Sequence, residues 1–420
     1  MLSLCPFLLL LLTFILRSKY LLPLKLYFFV WTIFLGFYDC DRLFFKYQFQ
    51  ISSQASNAII ISLICFFLGG IVAVLLKKKD SKIIKHEFIN YDKLYKITLF
   101  LVAIFSIVFI FKMISQFAAF GNPFENLSKT RIMYVKSLDS YNSTFVDFLV
   151  TLFGYITSLN IGVLIGQEKP TKKNLFLACL IMSMIFIIDL SRAGRSWFFA
   201  TFILMMSGYM SQLMTRNGTR KIETKKIMKI VFVIAAVFII IAIPLVLRSE
   251  GHYEDVVDII TMSTSEYIVG DIVSFSYFID NKLPSDLPGY YTFGGIYRIA
   301  DDILRNIGVN VFTTFSSENY LAVVNEKGYF NTSIDLAFYY ADFGFIGIYI
   351  IKFIIGFLSV YYLVILGKKN SSLTLFLLSI LLAMSLFSIR GIFSEGRYFW
   401  IMLLFVGIQA KYINNTIRIK

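Results

Sequence analysis

An all-α polytopic membrane protein of about eleven transmembrane helices is predicted by three features of the 420-residue sequence. Hydrophobic residues make up 58% of the chain and charged residues 16%, whereas soluble domains average roughly 45–50% and about 25%. Apolar runs of roughly 15–22 residues recur to the end of the chain, close to the ~20 a helix needs to cross a bilayer. Lys and Arg are abundant in one set of alternate loops and sparse in the other.

The runs place spans at about 2–16, 24–39, 55–76, 94–117, 146–166, 175–189, 196–214, 229–247, 344–366, 372–389 and 397–413. The first, LSLCPFLLLLLTFIL, resembles a signal-peptide core. It lacks a basic start and a small-residue cleavage site, so it reads as a retained span. Three parts follow from this division. Residues 1–247 hold spans one to eight, 248–343 form one large loop, and 344–420 hold the last three spans and a tail. The four cysteines, Cys5, Cys40, Cys65 and Cys179, have neither metal-ligand spacing nor a disulfide framework.

Orientation follows from charge. One set of alternate loops, with the C-terminal end, holds 24 Lys and Arg; the other holds 14, or 9 without the long segment. Short Lys/Arg-rich loops stay cytoplasmic, so the N-terminus is expected outside and the C-terminus inside. The net charge of +14 is thereby a membrane-orienting charge, and no nucleic-acid partner is inferred.

On this topology the turn DLSRAGRSWF (189–198) lies outside and carries Arg192 and Arg195. Both could simply snorkel to the interface. Three features favour an anion site: only Arg is used, Gly194 permits a tight turn, and the next span points its N-terminus outward. The turn RGIFSEGR (390–397) repeats the arrangement with Arg390, Glu395 and Arg397, where Glu395 could pair with either arginine. Two such turns on one face would suit a doubly charged lipid head group.

The long loop opens on VLRSEGHYEDVVD, with Arg248 past the end of a span and Glu250 and His252 behind it. His252 is a candidate for proton transfer or an ordinary solvated histidine. Further on, GGIYRIADDILRNIGVN reads as an amphipathic helix with Ile296, Ile299, Ile303 and Ile307 on one face. Arg298 and Arg305 share another face, in register with Asp302 and Asp301 for ordinary salt bridges along a membrane surface. Lys112 and Lys352 are the exceptional charges within spans, and Lys112 could snorkel outward.

No ATP-binding phosphate loop, zinc-protease motif or serine-hydrolase elbow occurs, and no cofactor or metal is inferred. With few charges deep in the spans, a transporter or flippase is the weaker reading.

The layout resembles the O-antigen polymerase (Wzy) and oligosaccharide repeat-unit polymerase family across nearly the whole chain. The local likenesses are LSRAGRS, RGIFSEGR, and Asp342-Phe343-Gly344 in GYFNTSIDLAFYYADFGFIGIYIIKFIIG at a span entrance. The resemblance implies a GT-C-like, metal-independent glycosyltransferase of the bacterial inner membrane, its large loop periplasmic. Its substrates would be two undecaprenyl-pyrophosphate-linked oligosaccharides, one glycan passing to the non-reducing end of the other. Arg192 and Arg195 would bind donor pyrophosphate, supported by Arg390, Arg397 and Arg298, and Arg248 would bind the second lipid. Glu250, His252 and Glu395 stand as candidate bases in no fixed order. A flippase and a chain-length regulator are the partners such an enzyme implies. An O-antigen ligase would use the same donor with a different acceptor, and a structural subunit of an export assembly would need none of these arginines.

Overall fold

A computed structural model describes residues 1–44, 50–76, 87–122, 145–167, 170–191, 196–216, 269–281, 288–306, 322–323, 329–330, 333–366 and 371–416. The helices are α1 (Leu4–Ile15), α2 (Leu22–Phe44), α3 (Ser53–Leu75), α4 (Tyr91–Phe120), α5 (Phe145–Ile165), α6 (Lys172–Ser191) and α7 (Ser196–Arg216). They continue with α8 (269–280), α9 (Gly294–Asn306), α10 (Asp335–Leu366), α11 (Ser372–Phe387) and α12 (Arg397–Ile413). Two short strand pairs complete the described fold: β1 (Glu87–Ile89) with β4 (Asn414–Thr416), and β2 (Ala322–Val323) with β3 (Tyr329–Phe330), both antiparallel.

Seven helices among the described residues, α2 to α7 and α10, are long and apolar enough to cross a membrane. That is fewer than the eleven expected. At 12 and 16 residues, α1 and α11 are apolar but short. They extend only about 18 and about 24 Å as helix, against a hydrocarbon core of ~30 Å. The span expected at 229–247 lies outside the described residues.

The chain forms two compact units. Unit 1 comprises Met1–Ile84, Thr264–Lys368 and Leu381–Leu404; unit 2 comprises Lys85–Ser263, Lys369–Ile380 and Phe405–Lys420.

In unit 1 the central contact is α3 against α10, and glycine makes it possible. A β-carbon on Gly69 would lie 2.1 Å from the Phe353 carbonyl oxygen, and one on Gly356 would lie 2.2 Å from that of Phe66. Helices in lipid gain little from hydrophobic burial, so backbone approach at small residues supplies the packing. Tyr27 of α2 stacks on Phe66 at 3.7 Å between ring centres. Changing Gly356 to Val should therefore force the helices apart, because the atom met is backbone and cannot rotate away. Overpacking costs about 1–3 kcal/mol or more. The expected result is reduced accumulation of intact protein in membranes and faster proteolysis; wild-type levels would count against this contact. The N-terminus is held by Asp39, whose carboxylate accepts from the backbone N–H of Leu2 and Ser3 and from the Ser3 hydroxyl. That carboxylate satisfies donors a helix start otherwise leaves open.

Two parts of unit 1 differ from the sequence expectation. The helix α8 arises within the large loop, yet Val269, Ile272 and Phe275 are buried in the core. Hydropathy did not mark it, because Asp271, Ser274 and Ser276 dilute its apolar residues. The span expected from 344 begins instead at Asp335, and it breaks at Gly344, where φ is 66° and ψ −162°. A side chain would strain that left-handed backbone. After the break, 345–366 continues as a helix of about 33 Å, enough to span.

In unit 2, α5 is pinned to α12 by reciprocal amides. Asn160 Nδ2 donates to Gln409 Oε1 at 3.1 Å and Gln409 Nε2 to Asn160 Oδ1 at 2.8 Å, both residues being buried. The β1–β4 pair joins the start of α4 to the end of α12. Lys112 does not snorkel. Its Nζ lies 2.8 Å from Asp147 Oδ1 at the start of α5.

Candidate functional site

The described arginine turn belongs to unit 1 and is built on the end of α11. The backbone N–H of Arg390 returns to the Phe387 carbonyl at 2.8 Å, and the rings of Phe387 and Phe393 lie 4.3 Å apart. A single 3-10 turn, Phe393–Glu395, leads into α12 at Arg397. Trp400 locks that turn by donating from Nε1 to the Ser394 carbonyl at 2.8 Å.

Arg390 is held from a direction the sequence did not suggest. Its Nη1 lies 3.2 Å from Asp271 Oδ2 of α8, with side chains 15% and 2% exposed. This charge-assisted bond anchors the guanidinium from one side. Sequence left Glu395 open as a partner of either arginine; the partner observed for Arg390 is 119 positions away. Nothing is described of the Glu395 side chain.

The same turn receives α9. A β-carbon on Gly295 would lie 2.4 Å from the Gly396 carbonyl oxygen, so α9 rests directly on the residue before Arg397. This brings the helix of Arg298 against the turn of Arg390 and Arg397. On α9, Ile296 and Ile303 are exposed and Asp301 is buried. The apolar face therefore points away from the protein, as a helix lying on lipid requires. Arg298 is exposed and Arg397 half-buried.

Asp342 sets the entry to α9. Its carboxylate accepts from the Tyr291 N–H, and from the Thr292 N–H and hydroxyl at 2.6 Å each. The Asp-Phe-Gly segment is thus a structural clasp, the aspartate gripping the chain before α9 and the glycine turning α10. Asp342→Ala would strand these donors, at about 1–3 kcal/mol each where buried. Limited proteolysis should then cut more quickly within 288–306; an unchanged cleavage pattern would show that the clasp is dispensable.

Below the turn lies a buried ion pair. Lys352 Nζ is 2.7 Å from Asp335 Oδ2, with side chains 1% and 3% exposed, and 3.2 Å from the Tyr27 hydroxyl. Both charges were available to sequence reading, but only Lys352 drew notice. The usable signal was that a lysine inside an apolar span requires a counter-ion.

In unit 2 the turn carrying Arg192 and Arg195 lies outside the described residues, as do Arg248, Glu250 and His252. Its flanks are described and amend one expectation. The start of α7 does not offer all its N–H groups, because Phe198 N–H donates to Asp189 Oδ2 at 2.7 Å. The carboxylate that ends α6 already caps the next helix, and so takes part of the positive end that an anion would use.

Seven helices long and apolar enough to cross a membrane, in a described fold that is almost wholly helical, define the class: an all-α polytopic membrane protein. The chain belongs to the O-antigen polysaccharide polymerase Wzy family, whose model matches residues 1–416. No curated protein and no solved structure gives a significant match. Family membership makes it a glycosyltransferase-type polymerase acting on lipid-linked oligosaccharides, and favours polymerisation over ligation or flipping.

Proposed function

We propose that the protein joins undecaprenyl-pyrophosphate-linked repeat units at the periplasmic face of the bacterial inner membrane. In this reading a non-reducing-end hydroxyl of one lipid-linked glycan attacks the anomeric carbon of the other. The glycosidic bond to pyrophosphate breaks, undecaprenyl pyrophosphate leaves, and the hydroxyl proton passes to a base. Eleven GT-C-like spans with the N-terminus outside remain the proposed topology, and a flippase and a chain-length regulator the proposed partners. Glu250, His252 and Glu395 remain candidate bases.

The family match carries this reading, and the anchored Arg390 supports it. Negative charge grows on the leaving pyrophosphate as the bond breaks. Fixed guanidinium donors stabilise such charge without reorganising. Arg192 and Arg195 are proposed for the donor pyrophosphate, Arg390, Arg397 and Arg298 as further cations, and Arg248 for the second lipid.

The test is the surface polysaccharide ladder of a deletion strain and of that strain complemented with Arg192→Ala. Deletion should collapse the ladder to lipid A–core bearing a single repeat, and the variant should fail to restore it. Bare lipid A–core with long glycan left on the polyprenyl carrier would instead indicate ligation.

A further inference from the structure

We propose that the buried Lys352–Asp335 pair is a brace that positions Arg390; this rests on the reading of Arg390 as a substrate-facing cation. Lys352 lies in the spanning half of α10. Its ammonium sits 5.3 Å from the ring centre of Tyr27 and 5.9 Å from those of Trp31 and Tyr339, besides its contact with Asp335. Charges at such depth are expensive in a membrane protein and are usually tied to function. Helix packing does not require this one, since glycine contacts and the Tyr27–Phe66 stack already join α2, α3 and α10.

What sets the pair apart is what hangs from it. The Asp335 N–H donates to the Ser388 carbonyl at 2.9 Å, and the Ile334 N–H donates to the Asp271 carbonyl at 3.3 Å. The Ser333 hydroxyl donates to that same Asp271 carbonyl at 3.3 Å. Trp31, over the ammonium, donates from Nε1 to the Ser388 hydroxyl at 3.1 Å. Three consecutive residues, 333–335, therefore grip both the turn that carries Arg390 and the helix that carries its counter-ion. Ser388 fixes the backbone two residues before Arg390, and Asp271 fixes the guanidinium. Holding Asp335 in place holds both ends of the arginine. Small displacements of such a group matter, since about 1 Å of misplacement can cost on the order of 100-fold in rate.

The experiment uses full-length protein in membranes, quantified by immunoblot, with lipid-linked repeat units as substrate. Asp335→Asn/Lys352→Met removes both charges at similar volume, a change that buried pairs often tolerate in stability. Its turnover per protein should fall about tenfold or more. Added to Arg390→Ala, the same double change should lower turnover no further, because the residue it acts through is gone. Lys352→Arg, which keeps the charge, should recover most of the activity. Wild-type turnover in the neutral pair would overturn the proposal, and so would an equal fall in both backgrounds. Wild-type turnover in Arg390→Ala alone would instead defeat the reading of Arg390, and the brace with it. If the neutral pair fails to accumulate, Trp31→Phe provides a second comparison: it deletes the bond to Ser388 together with part of the ring over Lys352. A fall confined to protein containing Arg390 supports the brace, and no fall overturns it.

Discussion

Arg390→Ala is expected to lower polymerisation about 100-fold, leaving lipid A–core with a single repeat where a ladder stood. Removing one fixed donor from a developing negative charge typically costs on the order of 3 kcal/mol, which corresponds to that factor. The substitution also strands Asp271, buried at 2% exposure, so loss of polymer by itself would be ambiguous. Adding Asp271→Asn relieves the unpaired charge. The double variant should regain protein level in the membrane without regaining the ladder. Arg390→Lys should stay well below wild type, since an ammonium cannot reproduce a planar fork. A full ladder from Arg390→Ala at normal protein level would remove this residue from the site.

The largest stability effect is expected from Lys352→Met alone. It leaves Asp335 as an uncompensated charge with a side chain 3% exposed. Breaking one partner of a buried pair costs about 3–5 kcal/mol, a large part of the ~5–15 kcal/mol that keeps a typical protein folded. The variant should be depleted from membranes by degradation, and adding Asp335→Asn should restore its level. Asp335→Asn changes charge at nearly constant volume, so the contrast isolates charge from packing. Normal accumulation of the single variant would show that Asp335 finds another partner or takes up a proton.

The arginine turns were visible in the sequence because they interrupt apolar runs, and Arg390, Arg397 and Arg298 proved to lie on elements of one unit. Their neighbours were not visible. Asp271 sits in a segment whose serines and aspartate hide a core helix, and Asp335 lies before the expected start of α10. Lys112 was left free to snorkel because sequence shows how far a side chain reaches and not what stands beside it. Asp342 was recognised as part of a span-entrance pattern, but its task, clasping Tyr291 and Thr292, requires a contact across some 50 residues.

By itself the sequence determined the class of fold, most span positions and the resemblance to a polymerase family. Those are local properties, because in lipid each crossing segment must satisfy its own backbone hydrogen bonds and so declares itself by its own hydropathy. Tertiary structure decided the rest: the partners of Lys112, Lys352 and Arg390, the burial of α8, and the break at Gly344. Each depends on which helices touch. In unit 1 that is set by backbone approach at Gly69 and Gly356 and by charges that must find each other out of water, and no single segment records either.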